Sequence, residues 1–244
     1  MPLDGELSYY STIGQGGINH ALTKPFSEPE CGFMLMQIGA IFAVLPPPPA
    51  KILECGCGVG WLTKLLQVHG YDCTGIDVST EAIELARASG PGIQFLAINA
   101  EDLAFTEEFD AAFFFDSLHH CLDEEAAIRG VFRALKPGGI FVTSEPGNGH
   151  HERSADVIKM YGVTEKDMPA SHIVALGKRA GFDKAQLFPR MDDVGRFFLV
   201  KHTSTRWWKR ILRSSSLLIL LNFVRATLKT RRRLDNDMVV LHKP

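Results

Sequence analysis

Beyond residue 50 the chain alternates between short apolar runs and stretches whose apolar residues recur every three or four positions. The runs at 51–55, 71–76, 93–99, 109–116 and 139–144 are continuous and bounded by turn residues, which predicts buried strands. Helical spacing marks 61–69, 81–89 and 123–135, and Lys136-Pro137-Gly138-Gly139 predicts a stop and turn after the third. Such an alternation implies a doubly wound, mostly parallel α/β sheet covered on both faces. Later positions predict a helix at 170–180 and strands at 185–189 and 238–241. Ahead of the first strand, 31–45 reads as an apolar helix stopped by Pro46 to Pro49, since four prolines cannot continue a helix. The organisation predicted is a cap with its proline spacer (1–48), a core (49–200), a helical insertion (201–236) and the core's final strand (237–244).

The turn after the first run, Glu54-Cys55-Gly56-Cys57-Gly58-Val59-Gly60-Trp61, opens a helix. Glycines at such a junction let the backbone turn tightly and approach a ligand held at the helix N-terminus. A dinucleotide fingerprint would need glycine where Trp61 stands, which disfavours hydride transfer. Asp77 ends the second run, about twenty residues on, where a carboxylate can accept both hydroxyls of a ribose. Asn99-Ala100-Glu101 ends the third run and Asp116-Ser117-Leu118-His119-His120 the fourth. All four segments therefore fall at the carboxyl ends of neighbouring strands, where open parallel sheets bind ligands.

This ordered series resembles the class I S-adenosylmethionine-dependent methyltransferases, over roughly residues 50–200. Their first motif, E/D-x-G-x-G-x-G, matches Glu54, Gly56, Gly58 and Gly60. The ribose-binding acid matches Asp77, with Val78 as the apolar neighbour packed on adenine. The adenine-edge motif G-D-A-E matches Ile98-Asn99-Ala100-Glu101, with Asn for Asp, whose oxygen can still accept from the adenine amino group. Phe109-Asp110 through Leu118-His119-His120 and Leu135 to Gly139 match two further elements. The resemblance implies a Rossmann-like fold, S-adenosyl-L-methionine as cofactor, and methyl transfer. It implies a cofactor site made of Glu54, Gly56, Cys57, Gly58, Gly60, Asp77, Val78, Asn99, Ala100, Glu101 and Asp116, with Gly56 and Asp116 at the methionine end.

The cofactor supplies the reactive methyl, so the protein must align an acceptor, exclude water and, for some acceptors, remove a proton. His120 is the first candidate for that base and His119 the second; the other reading of the pair is that it shapes the pocket. Glu145, after the fifth strand, is a third candidate, against the reading of 145–151 as a solvated glycine-rich turn. Tyr9 and Tyr10 are candidates for a lid. No compact ligand spacing points to a metal and none is expected; Cys55 and Cys57 read as small side chains packed beside the loop.

Composition narrows the setting. The 244 residues, 45% hydrophobic and 22% charged, suit one globular domain and exclude a disordered chain. Five cysteines make no disulfide framework, no signal-like segment opens the sequence, and no run is long enough to cross a membrane, so a cytoplasmic protein is expected. Ten of the 26 Lys and Arg fall in 201–233 with no acid among them, so the rest of the chain is acidic and a nucleic-acid partner is not expected. Within that segment Trp207, Trp208 and Leu217 to Leu221 allow two readings. One is a peripheral membrane contact through 206–233; the other is a helix pair packed on the domain or on a second subunit. The acceptor expected is a small molecule or glycan, lipid-linked forms included. The rivals are a quinone-like lipophilic metabolite and a catalytically silent, cofactor-binding scaffold that regulates a partner.

Overall fold

The computed structural model describes residues 4–199 and 235–244, together with Val224 and Leu228. The basic segment on which the membrane reading rests lies outside the described residues, those two positions apart. Among the described residues no helix is long and apolar enough to cross a membrane.

Three helices precede the sheet: α1 (Asp4–Thr12), α2 (Gly14–Leu22) and α3 (Cys31–Val44). The core then runs β1 (Lys51–Cys55), α4 (Trp61–His69), β2 (Asp72–Asp77), α5 (Thr80–Ser89), β3 (Gln94–Ala97), β4 (Phe109–Phe115), α6 (Glu124–Ala134) and β5 (Leu135–Ser144). Short helices α7 (His150–Arg153) and α8 (Ala155–Tyr161) follow, then α9 (Ala170–Ala180), β6 (Lys184–Phe188), α10 (Met191–Leu199) and β7 (Met238–His242). The seven strands lie in the order β3-β2-β1-β4-β5-β7-β6. All pairs from β3 to β5 are parallel, and β7 enters antiparallel between β5 and β6. This is the mostly parallel, Rossmann-like architecture that the strand–helix alternation implies.

Side chains that alternate along a strand feed two cores. Leu53, Cys55, Ala112 and Phe114 pack on one face with residues of α6 and α9, such as Ile128 and Ile173. Ile52, Ala111 and Phe113 pack on the other with Ile38 and Ile41 of α3 and Leu62 and Leu66 of α4. Capping follows local chemistry: Ser79 accepts from the Ala82 N–H to start α5, and Asp123 accepts from the Ala126 N–H to start α6.

Several local patterns were not legible, the short helices α7 and α8 and helix α10 among them. The Lys136-Pro137-Gly138-Gly139 stretch is not a clean break before β5: Leu135 already pairs with Phe109, the ladder is interrupted, and it resumes at Ile140 opposite Ala111. The stretch is thus a bulge within the strand. Helices α1 and α2 were not predicted, because their short, polar, glycine-rich sequences show no clear apolar stripe.

The chain runs outward from β1 to β3 and then returns to β4 on the other side of β1. That reversal opens a crevice beyond the carboxyl ends of β1 and β4, the expected ligand position in such a sheet.

Candidate active site

A cavity of about 330 Å³ occupies that crevice, a size that suits a small-molecule ligand. Its floor comes from the ends of four strands: Gly56, Cys57 and Gly58 after β1, Asp77 and Val78 after β2, Asn99, Ala100 and Glu101 after β3, and Asp116, Ser117 and His120 after β4. Its roof comes from the cap, through Glu6, Tyr9 and Tyr10 of α1 and Met34 of α3, and its far side from Val157, Val163 and Glu165. Trp61 and Phe115, edge to face at 6.0 Å, add an aromatic wall.

The glycine loop is shaped by what surrounds it. Gly60 caps α4 at φ +71, and a β-carbon there would lie 2.5 Å from the buried Phe95 ring. Gly58 stands at φ +51, and a β-carbon would lie 2.5 Å from the Tyr10 hydroxyl. The expected reason for glycine at 58 was a bound ligand; the atom next to it in the structure is the Tyr10 oxygen. That hydroxyl accepts from the Val59 N–H, and burial pushes its pKa up.

Asp77 is held by its neighbours. Its Oδ2 accepts from the Gly58 N–H at 2.8 Å and its Oδ1 from the Ser79 N–H at 2.9 Å. Each oxygen keeps a second lone pair, the two acceptor sites that a ribose diol requires. Burial raises the Asp77 carboxyl from its ordinary value despite these two bonds. Asn99 Oδ1 accepts from the Glu101 N–H at 3.0 Å and caps the turn, which leaves the oxygen a second lone pair toward the cavity. Glu101 in turn accepts from the Leu122 N–H at 2.8 Å and fixes the chain beyond His120.

Glu54 and Gly60 lie behind the cavity and do not line it. Glu54 is 4% exposed and accepts from the Thr63 hydroxyl and backbone N–H, standing in for the side-chain cap that Gly60 cannot give α4. Burial pushes its carboxyl up to about 8. Its place is structural support for the loop, because no face of it reaches the ligand space.

The three catalytic candidates separate. His120 lines the cavity; His119 and Glu145, 4% and 1% exposed, do not. Glu145 Oε1 accepts from the N–H groups of Ser117 and Leu118 at 3.2 and 3.0 Å, and Oε2 meets His119 Nδ1 at 2.7 Å. His119 Nε2 meets Glu165 at 3.3 Å, and His150 Nε2 meets the same carboxylate at 2.6 Å. Both nitrogens of His119 thus face carboxylates that can only accept, which makes it an imidazolium. Burial opposes that charge, but Glu145 and Glu165 outweigh it and raise the His119 pKa to about 10. Burial would likewise raise Glu145, yet His119 and the backbone N–H groups hold it below its ordinary value. A base must be free to take a proton, and His119 and Glu145 are already committed to each other. Among the described residues His119, His120 and Glu165 bring donor atoms within 4.8 Å of one another, but these ion pairs close the group on itself.

His120 is different. Its Nδ1 lies 2.6 Å from the Thr164 carbonyl, an acceptor, so this nitrogen carries a proton, and in the neutral ring Nε2 keeps its lone pair. Sequence reasoning missed Glu6, Ser117, Glu165 and Arg190. Ser117 Oγ donates to the Cys55 carbonyl at 2.9 Å and ties the β4 turn to the glycine loop. Partly buried Arg190 reaches Asp116 at 3.4 Å and the Glu145 carbonyl at 3.2 Å. Ser117 lies inside the turn motif after β4 but was given no role, and Glu6, Glu165 and Arg190 sit in no local motif.

Residues 53–143, from β1 to β5, match the family model described as a methyltransferase domain. Over that stretch the chain is similar to the class I S-adenosylmethionine-dependent methyltransferases. The domain is 37% identical over 108 residues to the S-adenosyl-L-methionine-dependent Diels-Alderase iccD of Talaromyces variabilis, a match that covers 41% of this chain and 37% of that protein. It is 36% identical over 95 residues to the ubiquinone biosynthesis O-methyltransferase of Pseudomonas syringae pv. tomato, covering 36% of this chain and 41% of that one. The chain thus spans about two-fifths of the length of these curated relatives. The methyltransferase fold is shared with phosphoethanolamine N-methyltransferase 2 of Haemonchus contortus, at TM-score 0.58 and 21% identity over 85% of this chain and 52% of that one.

Proposed function

We propose that this chain binds S-adenosyl-L-methionine in the crevice over β1–β4 and transfers its methyl group to a small lipophilic acceptor. The single observation that carries the reading is a cavity lined both by Asp77 with the glycine loop and by His120, whose Nδ1 is held by the Thr164 carbonyl. In this reading Asn99 to Glu101 and Val78 take the adenine end, Asp77 the ribose, and Gly56, Cys57, Gly58 and Asp116 the methionine end. The cofactor supplies the methyl on a sulfonium, and the chain's own residues do the rest. Tyr9, Tyr10 and Glu6 roof the site against water, and His120 Nε2 takes the acceptor's proton.

The lining favours one acceptor class over others. Met34, Trp61, Phe115, Val157 and Val163 offer apolar and aromatic surface, which suits a quinone-like or other lipophilic metabolite better than a glycan. The relatives that make ubiquinone point the same way. A second reading, catalysis that depends on the cofactor without methyl transfer, is favoured by the similarity to a Diels-Alderase. A scaffold that binds the cofactor silently is the third.

Incubation with methyl-labelled S-adenosyl-L-methionine and a panel of substituted phenols and quinols tests the reading. Label in the acceptor and matching release of S-adenosylhomocysteine are expected. A His120→Ala variant should lower that rate by about 10²–10⁴ with little change in S-adenosylhomocysteine affinity. Acceptor consumed with no label transferred selects the second reading, and neither event selects the scaffold.

A further inference from the structure

The cap does more than cover the cavity, because it touches His120. Glu6 of α1 places Oε1 at 3.5 Å from His120 Nδ1. The same oxygen accepts from the Thr164 N–H at 2.6 Å, and the Thr164 carbonyl is the group 2.6 Å from His120 Nδ1. Three distant parts of the chain thus meet at one nitrogen: residue 6 from the cap, residue 164 from the segment before α9, and residue 120 from the end of β4. Other charged groups surround this ring. His119 stacks on it at 4.1 Å between ring centres, and Glu165 and Asp77 line the same cavity.

The docking of α1 is specific. A β-carbon on buried Gly5 would strike the Gly162 carbonyl, so the two backbones are in direct contact. Tyr9 packs edge-on against Tyr161 at 5.3 Å between ring centres. A nine-residue helix is marginal alone, so α1 holds its shape and place through these contacts.

We propose that Glu6 is a positioning residue for His120. When α1 is docked, Glu6 fixes the Thr164 peptide and faces Nδ1, which locks the ring in the tautomer whose Nε2 lone pair points to the acceptor. Closure of the cap and preparation of the base are therefore one event. This is the logic of a catalytic histidine oriented by a third group, here supplied by a separate element. The proposal rests on the reading of His120 as the proton acceptor, but its test does not require turnover.

Nitrogen-15 NMR of the histidine-labelled full chain distinguishes the two tautomers through their ring-nitrogen shifts. Wild type should show His120 with the proton on Nδ1 alone. Glu6→Ala should give a mixture of tautomers, because the Thr164 N–H loses its partner and nothing then holds the Thr164 carbonyl against Nδ1. Glu6→Gln should restore the single form, since an amide oxygen still accepts from the Thr164 N–H. Gly5→Val, which leaves Glu6 in the chain but forces α1 away, should reproduce Glu6→Ala. A single Nδ1–H tautomer in Glu6→Ala, with the fold intact by circular dichroism, overturns the proposal. If the tautomer responds as described but His120→Ala still transfers label at the wild-type rate, the positioning stands and the assignment of His120 as base fails.

Discussion

Glu54 carries a charge problem that can be measured. The side chain lies between β1 and the first turn of α4, 4% exposed, with Asp77 as a nearby like charge. Burial pushes its carboxyl from 4.5 up to about 8, against the pull of the two Thr63 hydrogen bonds. Folded protein therefore binds more protons at this group than unfolded protein does between pH 4.5 and about 8. Stability must fall as pH rises through that window, and it levels off on either side. At about 1.4 kcal/mol per pH unit, the loss reaches about 3 kcal/mol at pH 7 and about 5 kcal/mol at full ionisation. Glu54→Gln keeps the shape and an oxygen to accept from Thr63 but has no proton to lose. Urea denaturation of both proteins at pH 5, 6, 7, 8 and 9 should give nearly equal stabilities at pH 5. The glutamine variant should then become progressively more stable than wild type. Parallel stability curves over that range would refute the burial argument, and a glutamine variant that is less stable at pH 8 would show that the ionised carboxylate is preferred.

Asp77→Ala should weaken S-adenosylhomocysteine binding by roughly ten- to a hundredfold, from loss of charge-assisted hydrogen bonds worth about 1.5–3 kcal/mol. Calorimetric titration measures this, and unchanged affinity would remove Asp77 from the ligand site. Gly60→Ala adds a left-handed alanine at φ +71 and drives its β-carbon into Phe95 and Ala86. Strain of about 1–2 kcal/mol and overpacking of about 1–3 kcal/mol should together lower stability by about 3 kcal/mol. A shift in the denaturation midpoint equivalent to less than 1 kcal/mol would mean that the Phe95 ring yields.

The sheet and the floor of the site were legible because both are encoded locally. A buried parallel strand must be a short apolar run, and a helix must repeat its apolar face, so β1, α4 and α9 could be bounded from pattern alone. The glycine loop, Asp77 and the Asp116–His120 turn were legible for a related reason: each immediately follows a strand, and parallel order puts all strand ends on one edge. Residue chemistry alone did not rank the three catalytic candidates, and the preference for His120 rested on the family resemblance. His119, His120 and Glu145 look equally able to take a proton, yet His119 and Glu145 spend their capacity on each other while His120 alone lines the cavity. That distinction depends on Glu165 and Thr164, which no spacing connects to residue 120. The roles of Glu54 and Gly58 were likewise decided by neighbours outside the loop, Thr63 in α4 for one and Tyr10 in the cap for the other. Glu6 is the extreme case: one of two acids on a helix with no apolar stripe carries no local signal, and only the docking of α1 brings it to the ring it faces.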